Sequence, residues 1–319
     1  MTSGARSDAG ASRVVVTGAG GYVGGRLVRH LTERGAEVRP LVRRPVPWVP
    51  DGRLVTLVGG DLDELAGAFE GHDAVVHLAG ASEVRAAADP DGALADTVVA
   101  SRRVAAAAAR AEVPRVVVLS TVHVYGSARR DTSTVDEGVV PEPRHPYAVA
   151  RLAGEHLVAG EGPDEVVVLR LTNGVGPPAD ARVDRWTLVA NELCAAAAAG
   201  HPVRLRSSGR QWRDLIDLGD ACHAIAEAAL GVVPAGTYNL GSGRSTTIRA
   251  LADAVADAAE VVLGARPPVE APPHEGPEPA PQHVDVSRLA AHVGTPATPL
   301  AASLQATIRL CAGLAPRAD

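Results

Sequence analysis

The sequence predicts an α/β protein, with a doubly wound parallel sheet over its first two thirds and a smaller C-terminal α/β domain after it. Three observations carry that expectation. Short, continuous, Val-rich apolar runs recur at 14–16, 38–42, 54–58, 74–78, 116–119 and 166–171. Ala-rich stretches of helical length at 23–34, 93–111 and 147–159 alternate with them. A glycine-rich turn joins the first run to the first helix. Runs that are apolar at every position suit strands buried on both faces, as in parallel sheets. Alternation with helices then covers both faces of that sheet.

The first unit is the most specific. Residues 17–24 read TGAGGYVG between a strand and an amphipathic helix. Gly18 permits the sharp turn, Gly21 close approach of backbone to a pyrophosphate, and Gly24 tight helix–strand packing; Gly20, Tyr22 and Val23 complete the segment. The helix N-terminus offers free N–H groups and a positive dipole end to phosphates. In this context the glycines predict a dinucleotide-binding Rossmann unit. The second run ends Val42-Arg43-Arg44, with Val42 where an acid would accept the ribose hydroxyls of NAD. Arg43 and Arg44 would instead grip a 2′-phosphate through charge-assisted bonds, or lie solvated in a loop of an Arg-rich chain. NADP(H) is the expected cofactor and NAD the alternative.

After residue 172 the alternation loosens into a Gly/Pro loop at 174–180, a helix over 185–199 and a Pro/Glu-rich loop at 267–281. The expected organisation is a disordered tail over 1–12, a dinucleotide-binding domain over 13–172, and a mainly substrate-binding domain over 173–319. Part of the latter, about 214–240, returns to the first domain, and a cleft separates the two.

Composition narrows the partners. Hydrophobic residues are 46% and charged residues 21%, ordinary for a globular chain. Aromatics are only 3%, with one Phe and one Met, so the core must be built from Ala, Val and Leu. Arginine is heavily used at lysine's expense. A net charge of −6 argues against nucleic acid as a partner. Cys194, Cys222 and Cys311 are far apart, without metal-ligand spacing, and fit small buried hydrophobes in a reducing compartment. Residues 1–12 lack the apolar core of a signal peptide and no apolar run is long enough to span a bilayer, so no membrane partner and a cytoplasmic location are expected.

Further motifs resemble the extended short-chain dehydrogenase/reductases, the family of nucleotide-sugar epimerases, dehydratases and 4-ketoreductases. Beyond TGAGGYVG, Gly60-Asp61-Leu62 is similar to an element whose Asp contacts adenine, and His77-Leu78-Ala79-Gly80 to a turn along the cofactor. Residues 120–126 (STVHVYG) and 146–151 (PYAVAR) resemble the family's S-[ST]-x-x-V-Y-G strand end and P-Y-x-x-S-K helix. Residues 170–177 (RLTNGVGP), 209–216 (GRQWRDLI) and 238–243 (YNLGSG) resemble its substrate-side segments, and the match covers nearly the whole chain.

Interconversion of a secondary alcohol and a ketone needs an acid/base at the oxygen. Tyr147 is the candidate, with Thr121 donating to the same oxygen. Residue 151 lies one helical turn on, on the same face. There the chain has Arg151 where the family has Lys. A guanidinium keeps the positive charge, but it is planar and never releases its proton, which places the family's proton relay in doubt. The resemblance implies an Asp-Glu pair after the Thr in 4,6-dehydratases; Val122 and His123 stand there instead, which disfavours that elimination. His123 either moves a proton beside a carbonyl or packs on the cleft wall. Ser82, Asn173, Arg213 and Arg244 complete the expected substrate contacts, the arginines on a diphosphate. The resemblance thus implies an enzyme acting on a nucleoside-diphosphate sugar, a 4-ketoreductase ahead of a 4-epimerase, with a weakly active dinucleotide-binding protein as the non-enzyme alternative. It also implies a homodimer formed through paired helices.

Overall fold

The computed structural model describes residues 11–130, 133–273, 276–277 and 279–313; residues 1–10 of the expected tail lie outside them. The first strands are β1 (Arg13–Thr17), β2 (Glu37–Val42), β3 (Arg53–Leu54), β4 (Ala74–His77) and β5 (Arg115–Thr121). With strands Glu165–Leu171 and Gly236–Leu240 they form one parallel seven-stranded sheet. Its order is Gly236–Leu240, Glu165–Leu171, β5, β4, β1, β2, β3. The order reverses between β1 and β4, and such a switch point opens a crevice at the C-terminal strand ends.

Burial explains why the strands read as unbroken Val runs. Val14, Val16, Val76, Val117 and Val167 face one apolar layer, and Val15, Val75, Val116 and Val168 face the other. The first layer is closed by helix α1 (Tyr22–Glu33) and helix Leu218–Ala229; the second contains α2 (Leu62–Phe69) and helix Ala100–Arg110. With one Phe, wholly buried at position 69, close packing rests on interleaved Val, Leu and Ala. A third layer joins helices Val189–Ala198, Ile248–Leu263 and Leu300–Cys311. A small sheet links strands Asn173–Val175, Trp212–Asp217 and Ser245–Thr247 at the mouth of the crevice. The three cysteines are free, Cys194 and Cys222 buried. Among the described residues no helix is long and apolar enough to cross a membrane.

Three expectations need correction. The run at 54–58 is a strand only at Arg53–Leu54; residues 57–59 form a turn, with φ 78° at Gly59. The helix expected over 93–111 is broken: Pro90–Leu94 and Ala100–Arg110 are α-helical, but Ala95–Val99 is a π turn. There the Thr97 carbonyl accepts both the Ala100 N–H and the Ser101 hydroxyl (2.7 Å). The helix expected from 185 starts only at Val189, and the preceding residues form turns held by Asp180.

The π turn is fixed by a buried polar chain. The Thr17 hydroxyl donates to His77 Nδ1 (2.8 Å), and His77 Nε2–H donates to Ser101 Oγ (3.1 Å), which is itself occupied with Thr97. β1 and β4 place Thr17 directly beside His77 in register. Thr17 Oγ1 also accepts from the Ala79 N–H (3.4 Å), and Thr97 Oγ1 from the Ala81 N–H (3.0 Å). The turn 78–81 is thereby anchored at both ends. Burial, helped by the Arg151 charge, lowers the His77 pKa from 6.5 to about 3. The unfolded chain therefore takes up a proton below pH 6.5 that the native protein refuses until about pH 3, so stability falls as the pH drops through that window. Between pH 7 and pH 5 this amounts to about 2 kcal/mol. Urea unfolding at the two pH values is expected to show that loss in the wild type and a clearly smaller one in His77→Asn.

Candidate active site

One cleft crosses the C-terminal ends of β1, β4, β5 and Glu165–Leu171, and thirteen of the residues singled out in the sequence line it: Gly18, Gly21, Tyr22, Val23, Gly24, Leu78, Gly80, Ser82, Thr121, His123, Tyr147, Arg151 and Asn173. Gly18 (φ 70°) makes the turn after β1, and Gly21 caps α1 with no side chain over the helix end. The first turn of α1 carries no acidic residue, so its free N–H groups face the cleft uncompensated. A Cβ on Gly24 would stand 2.2 Å from the Gly18 carbonyl oxygen, so only glycine lets this helix sit against the turn. Tyr22 is buried, and its hydroxyl donates to the Gly176 carbonyl (2.7 Å), tying the turn to the far wall; burial pushes its phenol up. Gly20 stands just outside the lining, where its carbonyl accepts from the Trp48 indole N–H (3.1 Å).

Pro146 occupies the first turn of helix Pro146–Glu161, where its missing N–H costs nothing. Tyr147, Arg151 and Glu155 then follow at intervals of four along one stripe. The Arg151 carbon Cζ lies 5.5 Å from the Tyr147 ring centroid, and Nη1 donates to the Leu119 carbonyl (3.2 Å). A Cβ on Gly80 would come within 3.0 Å of three guanidinium atoms, so the bare glycine (φ 153°) is what makes room for this side chain. Thr121, buried at the end of β5, holds the His123 N–H through Oγ1 (3.2 Å).

His123 and Tyr147 meet edge to face, ring centroids 6.5 Å apart, and His123 Nε2 lies 3.3 Å from Glu83 Oε1. Glu83 went unread in the sequence because Ser82-Glu83 looks like an ordinary helix start; Ser82 Oγ does accept from the Arg85 N–H (3.2 Å). Arg213 is partly buried beside Glu83, which opposes the lowering of its pKa by burial. Its Nη1 donates to the Trp212 carbonyl (2.8 Å), and it makes no ion pair with Asp214. Asp214 instead accepts from Thr172 Oγ1 and the Ser242 N–H, and burial raises its carboxyl. Asn173 lines the cleft while its amide donates to the Asp214 carbonyl (2.8 Å). Arg185, Leu188, Val189 and Ala190, expected in the sequence only as the start of a helix, form a further wall.

The remaining expected contacts lie elsewhere. Arg43 and Arg44 are exposed beyond β2, Arg43 lying 3.8 Å from Asp96. Asp61 caps α2 by accepting from the Asp63 N–H, and Leu62 packs against the core behind it. Ala79 is turned to Thr17. Arg244 is exposed and donates to the Pro296 carbonyl, so the structure does not bring it to the cleft.

The model of the NAD dependent epimerase/dehydratase family matches residues 14–241. The chain belongs to that family. Among its relatives, a dTDP-6-deoxy-L-talose 4-dehydrogenase (NAD(P)(+)) of Kitasatospora kifunensis is 33% identical over 286 residues, 86% of this chain and 88% of the relative. A GDP-6-deoxy-D-mannose reductase of Pseudomonas aeruginosa is 30% identical over 79% of this chain and 81% of its own. A Thermus thermophilus UDP-glucose 4-epimerase in complex with NAD superposes with a TM-score of 0.78 at 27% identity, covering 94% of this chain and 99% of that one.

Within this epimerase/dehydratase chain the helix that carries Tyr147 is fixed by a buried ion pair. Arg170 donates to Glu155 through Nε (3.2 Å) and Nη2 (2.8 Å), and Ser120 donates to the same carboxylate. Arg170 also stacks 4.9 Å from the Tyr125 ring, whose hydroxyl donates to Asn239 (2.7 Å). Glu155→Gln leaves a buried guanidinium without its counter-charge, so a loss of about 3–5 kcal/mol is expected in urea unfolding. A change below about 1 kcal/mol would show that packing alone holds the helix.

Proposed function

We propose that this protein reduces the 4-keto group of a nucleoside-diphosphate deoxyhexose with NADPH. The observation that carries the reading is the convergence of Thr121, Tyr147 and Arg151 in one cleft with the glycine turn of β1 and α1. The dehydrogenase and the reductase among the similar proteins support an oxidoreductase of nucleotide sugars, and the name of the former supports use of NAD(P). Val122, buried under Tyr125 and Val135, occupies one position at which a dehydratase needs a carboxylate.

The residues fit a nicotinamide dinucleotide. The α1 N-terminus and the turn 18–24 would hold its pyrophosphate, and Leu78 and Gly80 would flank it. When bound, the dinucleotide supplies the hydride that reaches the carbonyl carbon. Thr121 and Tyr147 hold the carbonyl oxygen, and the Tyr147 phenol gives it a proton. Arg151 holds a fixed positive charge beside that phenol, locked by the Leu119 carbonyl and the bare surface of Gly80. Arg185 and Arg213 stand on the substrate side as the cations for a diphosphate. In this reading residues 13–172 hold the dinucleotide and 173–319 mainly hold the sugar nucleotide. A homodimer would pair the surfaces of helices Ala100–Arg110 and Pro146–Glu161, with Val99 exposed just before the first and Val149 exposed on the second.

The fold similarity to an NAD-containing 4-epimerase favours one other reading, oxidation and re-reduction at C4 with a retained dinucleotide. Purified protein that carries tightly bound NAD and consumes no added cofactor would select it. Under the reductase reading, absorbance at 340 nm falls when NADPH and a 4-keto-6-deoxy nucleotide sugar are added together, and Tyr147→Phe lowers kcat by about 10²–10⁴ while leaving cofactor binding intact. Arg43→Ala combined with Arg44→Ala is expected to weaken NADPH by roughly tenfold to a hundredfold with NADH unchanged. Fluorescence titration of both cofactors checks this, and equal weakening of both would remove the 2′-phosphate from the account.

A further inference from the structure

After Tyr147 has given up its proton, something must return one. Arg151 cannot. A guanidinium stays protonated throughout the working pH range, and this one is directed inward, with Nη1 on the Leu119 carbonyl and Nε buried. The chain contains no lysine, so no ammonium elsewhere can take over the task. Among the described residues lining the cleft, the one side chain whose ordinary titration range lies near neutrality is the imidazole of His123. It stands edge to face with the Tyr147 ring, at a centroid distance of 6.5 Å. Its Nε2 lies 3.3 Å from the Glu83 carboxylate, and both side chains keep roughly two fifths of their surface open, 36% and 44%.

We propose that His123, paired with Glu83, is the group that reprotonates Tyr147 in place of the relay that Arg151 cannot carry; this rests on the reductase reading above. A bound dihydronicotinamide would supply the hydride for the carbonyl carbon; as the C=O π bond breaks, the Tyr147 O–H proton passes to the oxygen. The resulting phenolate takes the N–H proton of the His123 imidazolium. The neutral imidazole then recovers a proton from solvent on the Glu83 side, so one proton is consumed for each ketone reduced. Glu83 favours the charged form of the ring through its carboxylate. Arg213, facing Glu83 from strand Trp212–Asp217, and Arg151, behind Tyr147, oppose it. His123 acts through Tyr147 and Glu83 through His123, so both are relay and positioning residues.

The test compares wild type, His123→Asn and Glu83→Gln in two assays. In the first, NADPH oxidation with a 4-keto nucleotide sugar is followed from pH 5.5 to 9. The wild-type kcat is expected to fall as the pH rises and the imidazolium is lost. His123→Asn is expected to lower kcat by roughly tenfold to a hundredfold with KM nearly unchanged, to flatten that fall, and to recover rate on addition of free imidazole. In the second, the His123 ring proton, assigned by its absence from His123→Asn, is titrated by NMR in cofactor-free protein, and Glu83→Gln is expected to move its midpoint to lower pH. Wild-type kcat and pH profile in His123→Asn, a loss confined to KM without imidazole rescue, or a midpoint indifferent to Glu83→Gln would each overturn the relay. No turnover by the wild type, with the midpoint still moved by Glu83→Gln, would overturn the reductase reading and leave the His123–Glu83 pair standing.

Discussion

A single buried charge pair organises the reacting end of this protein. Glu155 and Arg170 are both nearly inaccessible, and neither charge is tolerable there without the other. Their pairing sets the register of helix Pro146–Glu161 against strands β5 and Glu165–Leu171. Because Tyr147 and Arg151 lie on the same stripe as Glu155, fixing one turn of the helix fixes the two before it. Ser120, next to Thr121, donates to the same carboxylate, so the strand end is set by the same contact. Tyr125 and Asn239 extend the network to strands Thr134–Val135 and His283–Val284, since the Asn239 amide donates to the Val135 and Asp285 carbonyls. Several motif residues that look like site residues in the sequence therefore serve as its foundation.

The parallel sheet was legible because burial on both faces leaves a plain signature, the unbroken Val run. The short extent of the edge strand Arg53–Leu54 was not, since the apolar run at 54–58 continues past the two residues that pair. The π turn at Ala95–Val99 was equally hidden, because it depends on Thr97 and Ser101 meeting the 78–81 turn and His77 from elsewhere in the chain. At the site, the glycine turn could be read from spacing, and Thr121, Tyr147 and Arg151 from their resemblance to the family's motifs. Glu83 and Arg185 could not. One resembles a helix start and the other falls at the front of an expected helix that begins only at Val189, and only the folded chain brings them to His123 and to the far wall. Arg244 shows the converse, a plausible cation that the fold turns outward to Pro296.

Arginine's complete replacement of lysine in this chain makes position 151 a chemical problem that the surrounding structure has met. A longer, planar cation must fit where a slim ammonium would, and the bare Gly80 accommodates it. The His77 chain anchors the same turn from below, so the space beside the guanidinium is held open by the backbone of 78–81 instead of by a movable side chain. A guanidinium at position 151 keeps the positive charge but does not exchange its proton.

Trp48 has a consequence of its own. Its indole N–H is bonded to Gly20 in the turn that faces the cleft, its ring packs near Gly25, and Arg182, from the turns before helix Val189–Ala198, lies 5.5 Å from its centroid. The other two tryptophans, Trp186 and Trp212, donate to carbonyls away from that turn. The molecule thus carries an optical gauge beside its glycine turn, where the emission of one indole reads the hydrogen bond to Gly20 and the placement of Arg182 together.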